Sequence, residues 1–140
     1  MKTSKSFDPE SAGPQEISSK PPVQRQTILL VDDEAMIREF ICATLLMYGY
    51  AVLEASRGTE ALHICQHHWG PIHLLLTDVC MPEMNGRILA EHVTALRPFT
   101  RVLFMSAEVV VPFERAFIQK PFTPEVLAQK IHEILHPDQS

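Results

Sequence analysis

From Thr27 onward the chain alternates between short aliphatic runs and stretches of helical period. Thr27–Val31, Tyr50–Glu54, Ile72–Thr77, Arg101–Met105 and Ala116–Gln119 are rich in β-branched and aliphatic residues and read as five strands. After the first, Ile37, Phe40, Ile41, Thr44, Leu45 and Tyr48 recur at the spacing of one helix face, and Gly49 closes the helix. Arg57–Trp69 gives a second helix, with Ala61, Leu62, Cys65 and His68 or Trp69 on one face, stopped by Gly70-Pro71. Gly86–Leu96 gives a third, with Ile88, Leu89, Val93 and Leu96 inward, and Pro124–His136 a last one striped by Val126, Leu127, Ile131, Ile134 and Leu135. Strands too apolar to have a wet face, alternating with helices, imply an α/β fold in which a parallel sheet is covered on both sides.

Each strand that ends in polar chemistry ends the same way. Val31 is followed by Asp32-Asp33-Glu34, Thr77 by Asp78, Met105 by Ser106 and Gln119 by Lys120. In parallel α/β sheets ligands bind at the carboxyl ends of the strands, so these residues should share one edge. Read singly, Asp78 is a turn or cap aspartate, Ser106 a turn residue and Lys120 a solvated lysine. Four polar groups at four such ends argue for a site.

Closely packed carboxylates repel one another, and the simplest remedy is a hard divalent cation with oxygen ligands, here Mg²⁺ held directly by Asp33 and Asp78. Lys120 adds a compact positive charge suited to a phosphate oxygen. A carboxylate between Mg²⁺ and an ammonium is a competent nucleophile toward a phosphoryl group, because both cations offset charge gathering on the transferring oxygens. Ser106 then donates a hydrogen bond to the new phosphate.

Val31-Asp32-Asp33-Glu34, Asp78 followed by Met81-Pro82-Glu83-Met84-Asn85-Gly86, Phe104-Met105-Ser106-Ala107 and Lys120-Pro121-Phe122 resemble, in order, the motifs of the response-regulator receiver domain of two-component signalling. The resemblance runs from Thr27 to about His136. It implies a doubly wound, flavodoxin-like domain of five strands in the order 2-1-3-4-5, with Asp78 as phosphoacceptor. It also implies that the backbone carbonyl of Cys80 joins Asp33 and Asp78 on Mg²⁺, that Asp32 acts mainly through water, and that Lys120-Pro121 is cis. By the same resemblance Ser106 and Phe117 are the switch pair, the hydroxyl moving toward the phosphate and the aromatic turning inward behind it. Phe117 has no phenol, so any readout through that hydroxyl is absent, and a plain core phenylalanine is the competing reading.

One stretch departs from the pattern. Only residues 107–115 remain to cross from the fourth strand to the fifth, whereas a full crossover takes at least ~10–12 residues. Val109-Val110-Val111-Pro112 also combines β-branched residues with a helix breaker. The fourth helix is therefore expected to be missing or reduced to one turn, and with it part of the face through which receivers commonly signal or dimerise.

Composition narrows the rest. The 140 residues and 46% hydrophobic content suit one domain with a proper core, expected over 27–136. Residues 1–26, where Pro9, Pro14, Pro21 and Pro22 alternate with polar residues, read as a disordered tail, and 137–140 as a short tail. A formal charge of -5 with no basic cluster argues against nucleic acid. Three cysteines, Cys42, Cys65 and Cys80, suit a reducing cytoplasm better than a disulfide framework, and no apolar run approaches a membrane span. Cys80 has no basic neighbour to activate its thiol. His63 and His67 stand four apart on the second helix, as a solvated face or as two metal ligands.

The expected function is that of a single-domain response regulator. It takes a phosphoryl group from a histidine kinase or phosphotransfer protein onto Asp78, hydrolyses it slowly, and acts by binding a downstream protein. It is a self-phosphorylating and self-dephosphorylating acceptor rather than a turnover enzyme. The alternative is a receiver-like scaffold or homodimerisation module uncoupled from phosphorylation by its altered crossover. Partner binding that survives Asp78→Asn unchanged would favour that alternative. A haloacid-dehalogenase-like phosphatase is more distant, since its first strand would carry carboxylates two apart, whereas Asp32 and Asp33 are adjacent.

Overall fold

The computed structural model describes residues 25–108 and 115–139. Its strands are β1 (Thr27–Val31), β2 (Ala51–Ala55), β3 (Leu74–Asp78), β4 (Arg101–Ser106) and β5 (Phe117–Gln119). Its helices are α1 (Ala35–Met47), α2 (Gly58–His67), α3 (Gly86–Leu96) and α4 (Pro124–Leu135). The five strands form one parallel sheet in the order β2-β1-β3-β4-β5, the doubly wound arrangement expected.

The period-two pleat sorts the strand residues into two cores. Leu29, Val31, Leu75, Val102 and Phe104 face α2 and α3, where Ala61, Cys65, Leu89, Ala90 and Val93 cover them. Ile28, Leu30, Leu74, Leu76, Leu103 and Met105 face Ile41 and Leu45 of α1 and Leu127 and Ile131 of α4. Every residue of β3 is buried, because strands and helices surround it on all sides.

The helix starts explain how the chain leaves the sheet. Asn85 caps α3, its Oδ1 accepting from the Ile88 amide at 2.9 Å, and Thr123 caps α4 through the Val126 amide at 3.1 Å, with Pro124 at the first helical position. At the other end of the sheet Arg97 closes α2: its guanidinium donates to the carbonyls of Cys65, His68 and Gly70 at 3.0, 2.7 and 2.7 Å. Those carbonyls lie at the helix end, where backbone acceptors otherwise lack partners.

Several sequence expectations change here. Ile88, Leu96 and Val126 are exposed rather than inward, and Trp69 is 95% exposed. The inward arcs are narrower than the periodicity implied: Leu89, Ala90 and Val93 on α3, Leu127 and Ile131 on α4. Within the short tail, Pro137–Gln139 form a single 3-10 turn. The tail predicted over 1–26 lies outside the described residues except for its last two. The expected loss of the fourth helix falls mainly on 109–114, also outside them; among the described residues no helix stands between β4 and β5.

Candidate phosphoacceptor site

Asp32 and Asp33 follow β1, Asp78 closes β3, Ser106 closes β4 and Lys120 follows β5, so the parallel sheet delivers all five to one edge. One carboxylate oxygen from each of Asp32, Asp33 and Asp78 lies within 4.8 Å of the others. Asp32 is fully buried and Asp78 nearly so, while Asp33 is exposed at the rim. The Lys120 Nζ stands between the two buried acids, 2.9 Å from Asp32 Oδ2 and 3.4 Å from Asp78 Oδ2. Asp33 has no ion pair among the described residues.

The backbone fixes these side chains. Asp32 Oδ1 accepts from the Glu34 amide at 2.9 Å, and the Arg38 guanidinium donates to the Asp32 carbonyl at 2.7 Å, which ties the start of α1 to the site. Beyond Asp78 the Val79 amide donates to Met105 at 2.9 Å and the Gly86 amide returns to the Val79 carbonyl at 2.8 Å, closing the loop that holds Cys80. Glu83 in that loop has φ of 73°, a left-handed conformation that costs a non-glycine residue on the order of 1–3 kcal/mol. A Cβ added at Gly86 would collide with the Asp78 carbonyl oxygen and lie 3.1 Å from Val79 Cα. Gly86→Ala is therefore expected to push the Asp78 backbone outward and cost about 1–3 kcal/mol in urea unfolding; an unchanged midpoint would contradict this packing.

A pocket of ≈ 310 Å³ opens over Asp78 and Lys120, lined also by Glu34, Ile37, Cys80, Ser106, Ala107, Glu108 and Pro121. Ser106 is buried beneath it, its Oγ accepting from the Glu108 amide at 3.0 Å. Its hydroxyl proton can therefore turn toward a group in the pocket. Cys80 is exposed in the loop, and the Lys120-Pro121 peptide bond is cis. Phe117 is half-buried on β5 opposite Phe104 and packs on the core that faces α2 and α3, so it stands beside the site rather than in it. Glu34, quoted in the first motif without a role, and Glu108, next to Ala107 of the third motif, also line the pocket, and that position in or beside a motif was the available signal.

Burial is the main force raising the Asp78 carboxyl above its ordinary range; Lys120 opposes it and Asp32 reinforces it. Burial likewise presses on the Lys120 ammonium, but its hydrogen bond and charge interaction with Asp32, aided by Asp78, prevail and its pKa is raised. Both shifts make stability fall as pH rises, each in its own window. The native state holds the Asp78 proton more tightly than the unfolded chain, so this group's contribution falls as pH rises from the unfolded carboxylate value through the raised native one. Lys120 contributes stability that is complete below the ordinary lysine value and lost only as pH rises through its raised native value. Without divalent cations, the native chain should thus lose stability relative to Asp78→Asn between acid and neutral pH. A native-minus-variant difference in urea stability that is flat from pH 4 to 7 would contradict this. Magnesium at ten times its dissociation constant should restore about 1.4 kcal/mol to the native chain.

Three carboxylates against one ammonium leave an excess of negative charge, and all the protein donors are oxygens. That set fits a small hard cation such as Mg²⁺ rather than a thiophilic one. The sequence pattern of the response regulator receiver domain matches residues 28–132. The chain belongs to the response regulator receiver domain family. It is 34% identical to a chemotaxis protein CheY homolog of Campylobacter jejuni over 77% of this chain and 91% of that protein. It is 32% identical to the response regulator receiver protein CpdR of Brucella abortus over 77% and 95%. It also matches the sensor kinase CckA of Brucella abortus at 34% identity, over 78% of this chain but only 12% of the kinase. Among solved structures, the receiver domain of the hybrid histidine kinase CckA aligns with a TM-score of 0.70 at 34% identity, over 78% of this chain and 98% of that one. Chemotaxis protein CheY4 of Vibrio cholerae aligns with a TM-score of 0.74 at 29% identity, over 80% and 100%. This receiver domain of two-component signalling carries the acidic cluster at the carboxyl edge of its sheet, and among the described residues no helix is long and apolar enough to cross a membrane.

Proposed function

We propose that this receiver acts in the cytoplasm as a response regulator that stores a phosphoryl group on Asp78 and signals by binding another protein. The observation that carries the reading is the placement of one ammonium, Lys120, against both buried acids at the strand ends. Asp78 is the buried acid that also opens into the pocket, which makes its oxygen the nucleophile. The P–O bond to Asp78 forms as the N–P bond of a phosphohistidine donor breaks, and the electron pair leaves with the imidazole. Lys120 takes part of the charge on the transferring oxygens, and Ser106 offers its hydroxyl proton to one of them. Asp33, Asp78 and the Cys80 carbonyl would hold Mg²⁺, with Asp32 acting through water, and the ion would neutralise the remaining oxygens.

The donor is a histidine kinase or phosphotransfer protein, and the output is a protein partner. Phosphorylation draws Ser106 toward the phosphate and lets Phe117 move into the space behind it, a small charge-driven contact that tips a two-state surface. Beryllofluoride with Mg²⁺, added to isotope-labelled protein, should shift the amides of residues 78–80, 106–108, 117 and 120. Spectra that do not change would overturn the reading. A second reading, a phosphorylation-uncoupled scaffold or homodimer, draws on the short link between β4 and β5. It predicts partner binding that Asp78→Asn leaves unaltered.

A further inference from the structure

Helix α2 runs away from the acidic edge, and its last turn carries two exposed imidazoles, His63 and His67, with ring centroids 4.2 Å apart and planes inclined by 34°. His67 Nδ1 lies 2.9 Å from the His63 carbonyl oxygen. A backbone carbonyl can only accept, so Nδ1 carries the proton and the neutral ring presents its lone pair at Nε2. Metal-binding histidines are oriented in this way, the second ring nitrogen donating to a carbonyl or carboxylate.

We propose that the end of α2 is a second metal site, in which His67 Nε2 and a ring nitrogen of His63 chelate one transition cation of the Ni²⁺, Cu²⁺ or Zn²⁺ class. Residues four apart on a helix are neighbours, and a shared metal needs ligand nitrogens about 3 Å apart, given metal–nitrogen bonds of about 2 Å. The ring spacing is a small side-chain rotation from that. Imidazole selects these cations, whereas the all-oxygen cluster at the other end of the sheet suits Mg²⁺, so the two sites sort metals by donor type. Among the described residues no third His, Cys, Asp or Glu completes the pair. The remaining positions go to water or to a side chain of a docked molecule, and the cation exchanges readily.

A similar pair at the end of α4 provides a control. His132 and His136 have ring centroids 4.7 Å apart, and His136 Nε2 is engaged with Gln26 Oε1 at 3.1 Å. Its outward nitrogen is thus occupied, where among the described residues that of His67 has no hydrogen-bond partner.

The test is a titration of Ni²⁺ into the full chain in saturating Mg²⁺, followed by calorimetry and by paramagnetic broadening of amide resonances. Broadening should centre on residues 63–68. The affinity should fall at least about tenfold in His63→Gln and in His67→Gln and hold in His132→Gln. Broadening centred elsewhere, or an affinity that both α2 variants leave intact, overturns the proposal. Both α2 positions are exposed, and an unchanged helical circular dichroism spectrum certifies that the variants fold.

Discussion

Asp78→Asn should take up no phosphoryl group from acetyl phosphate, because the amide that replaces the carboxylate is not a nucleophile under these conditions. The effect is complete rather than graded, since Asp32 cannot substitute. Its carboxylate is fully buried, held by Lys120 on one oxygen and the Glu34 amide on the other. The same change should weaken Mg²⁺ binding by about tenfold or more, because a charged ligand is lost from the cluster. Calorimetry with Mg²⁺ measures the second effect independently of the first. A variant that still became labelled would move the acceptor to another residue.

Lys120→Met should damage both the chemistry and the fold. Removing one partner of a buried ion pair leaves the other charge uncompensated, at a typical cost of about 3–5 kcal/mol. Here the abandoned group is Asp32, 0% exposed and 2.9 Å from the lysine. Urea unfolding without Mg²⁺ should show this loss, and Asp32→Asn added to Lys120→Met should recover much of it, as expected for residues that act as a unit. The phosphorylation rate should fall by on the order of 10²–10³, the usual effect of losing a group that stabilises developing charge. Stability untouched by Lys120→Met would show that Asp32 is neutralised in some other way.

The sheet and its polar edge were legible because two independent patterns coincide. Aliphatic runs such as Leu74-Leu75-Leu76, alternating with stretches of helical period, read as strands buried on both faces, and the first polar residue after each run then emerges at a carboxyl end. That logic brings Asp32, Asp33, Asp78, Ser106 and Lys120 together without any knowledge of distance. It does not say which acid the lysine prefers. The Glu34 amide holds one Asp32 oxygen locally, and the other lies 2.9 Å from Lys120 against 3.4 Å for Asp78, a preference set by contacts across 88 residues of chain.

The helix faces were less legible. Of the residues in the apolar periods, Leu89, Val93, Leu127 and Ile131 are buried, joined by Ala90, whereas Ile88, Leu96 and Val126 are exposed. Periodicity fixes the existence of a face but not its centre within a residue or two, and small residues such as Ala90 mark the closest approach without adding hydrophobicity to the pattern. The clamp of Arg97 on three carbonyls of the α2 end was invisible for another reason: the guanidinium reaches Cys65, His68 and Gly70 from the adjoining helix's end, across a span no local pattern encodes.

Intact-mass spectrometry of the chain after incubation with acetyl phosphate and Mg²⁺ tests the central claim most directly. The account predicts one added phosphoryl unit, lost by hydrolysis over time and mapped by borohydride trapping to the peptide containing Asp78. A mass that does not change, or a phosphoryl group mapped to any other residue, would contradict it.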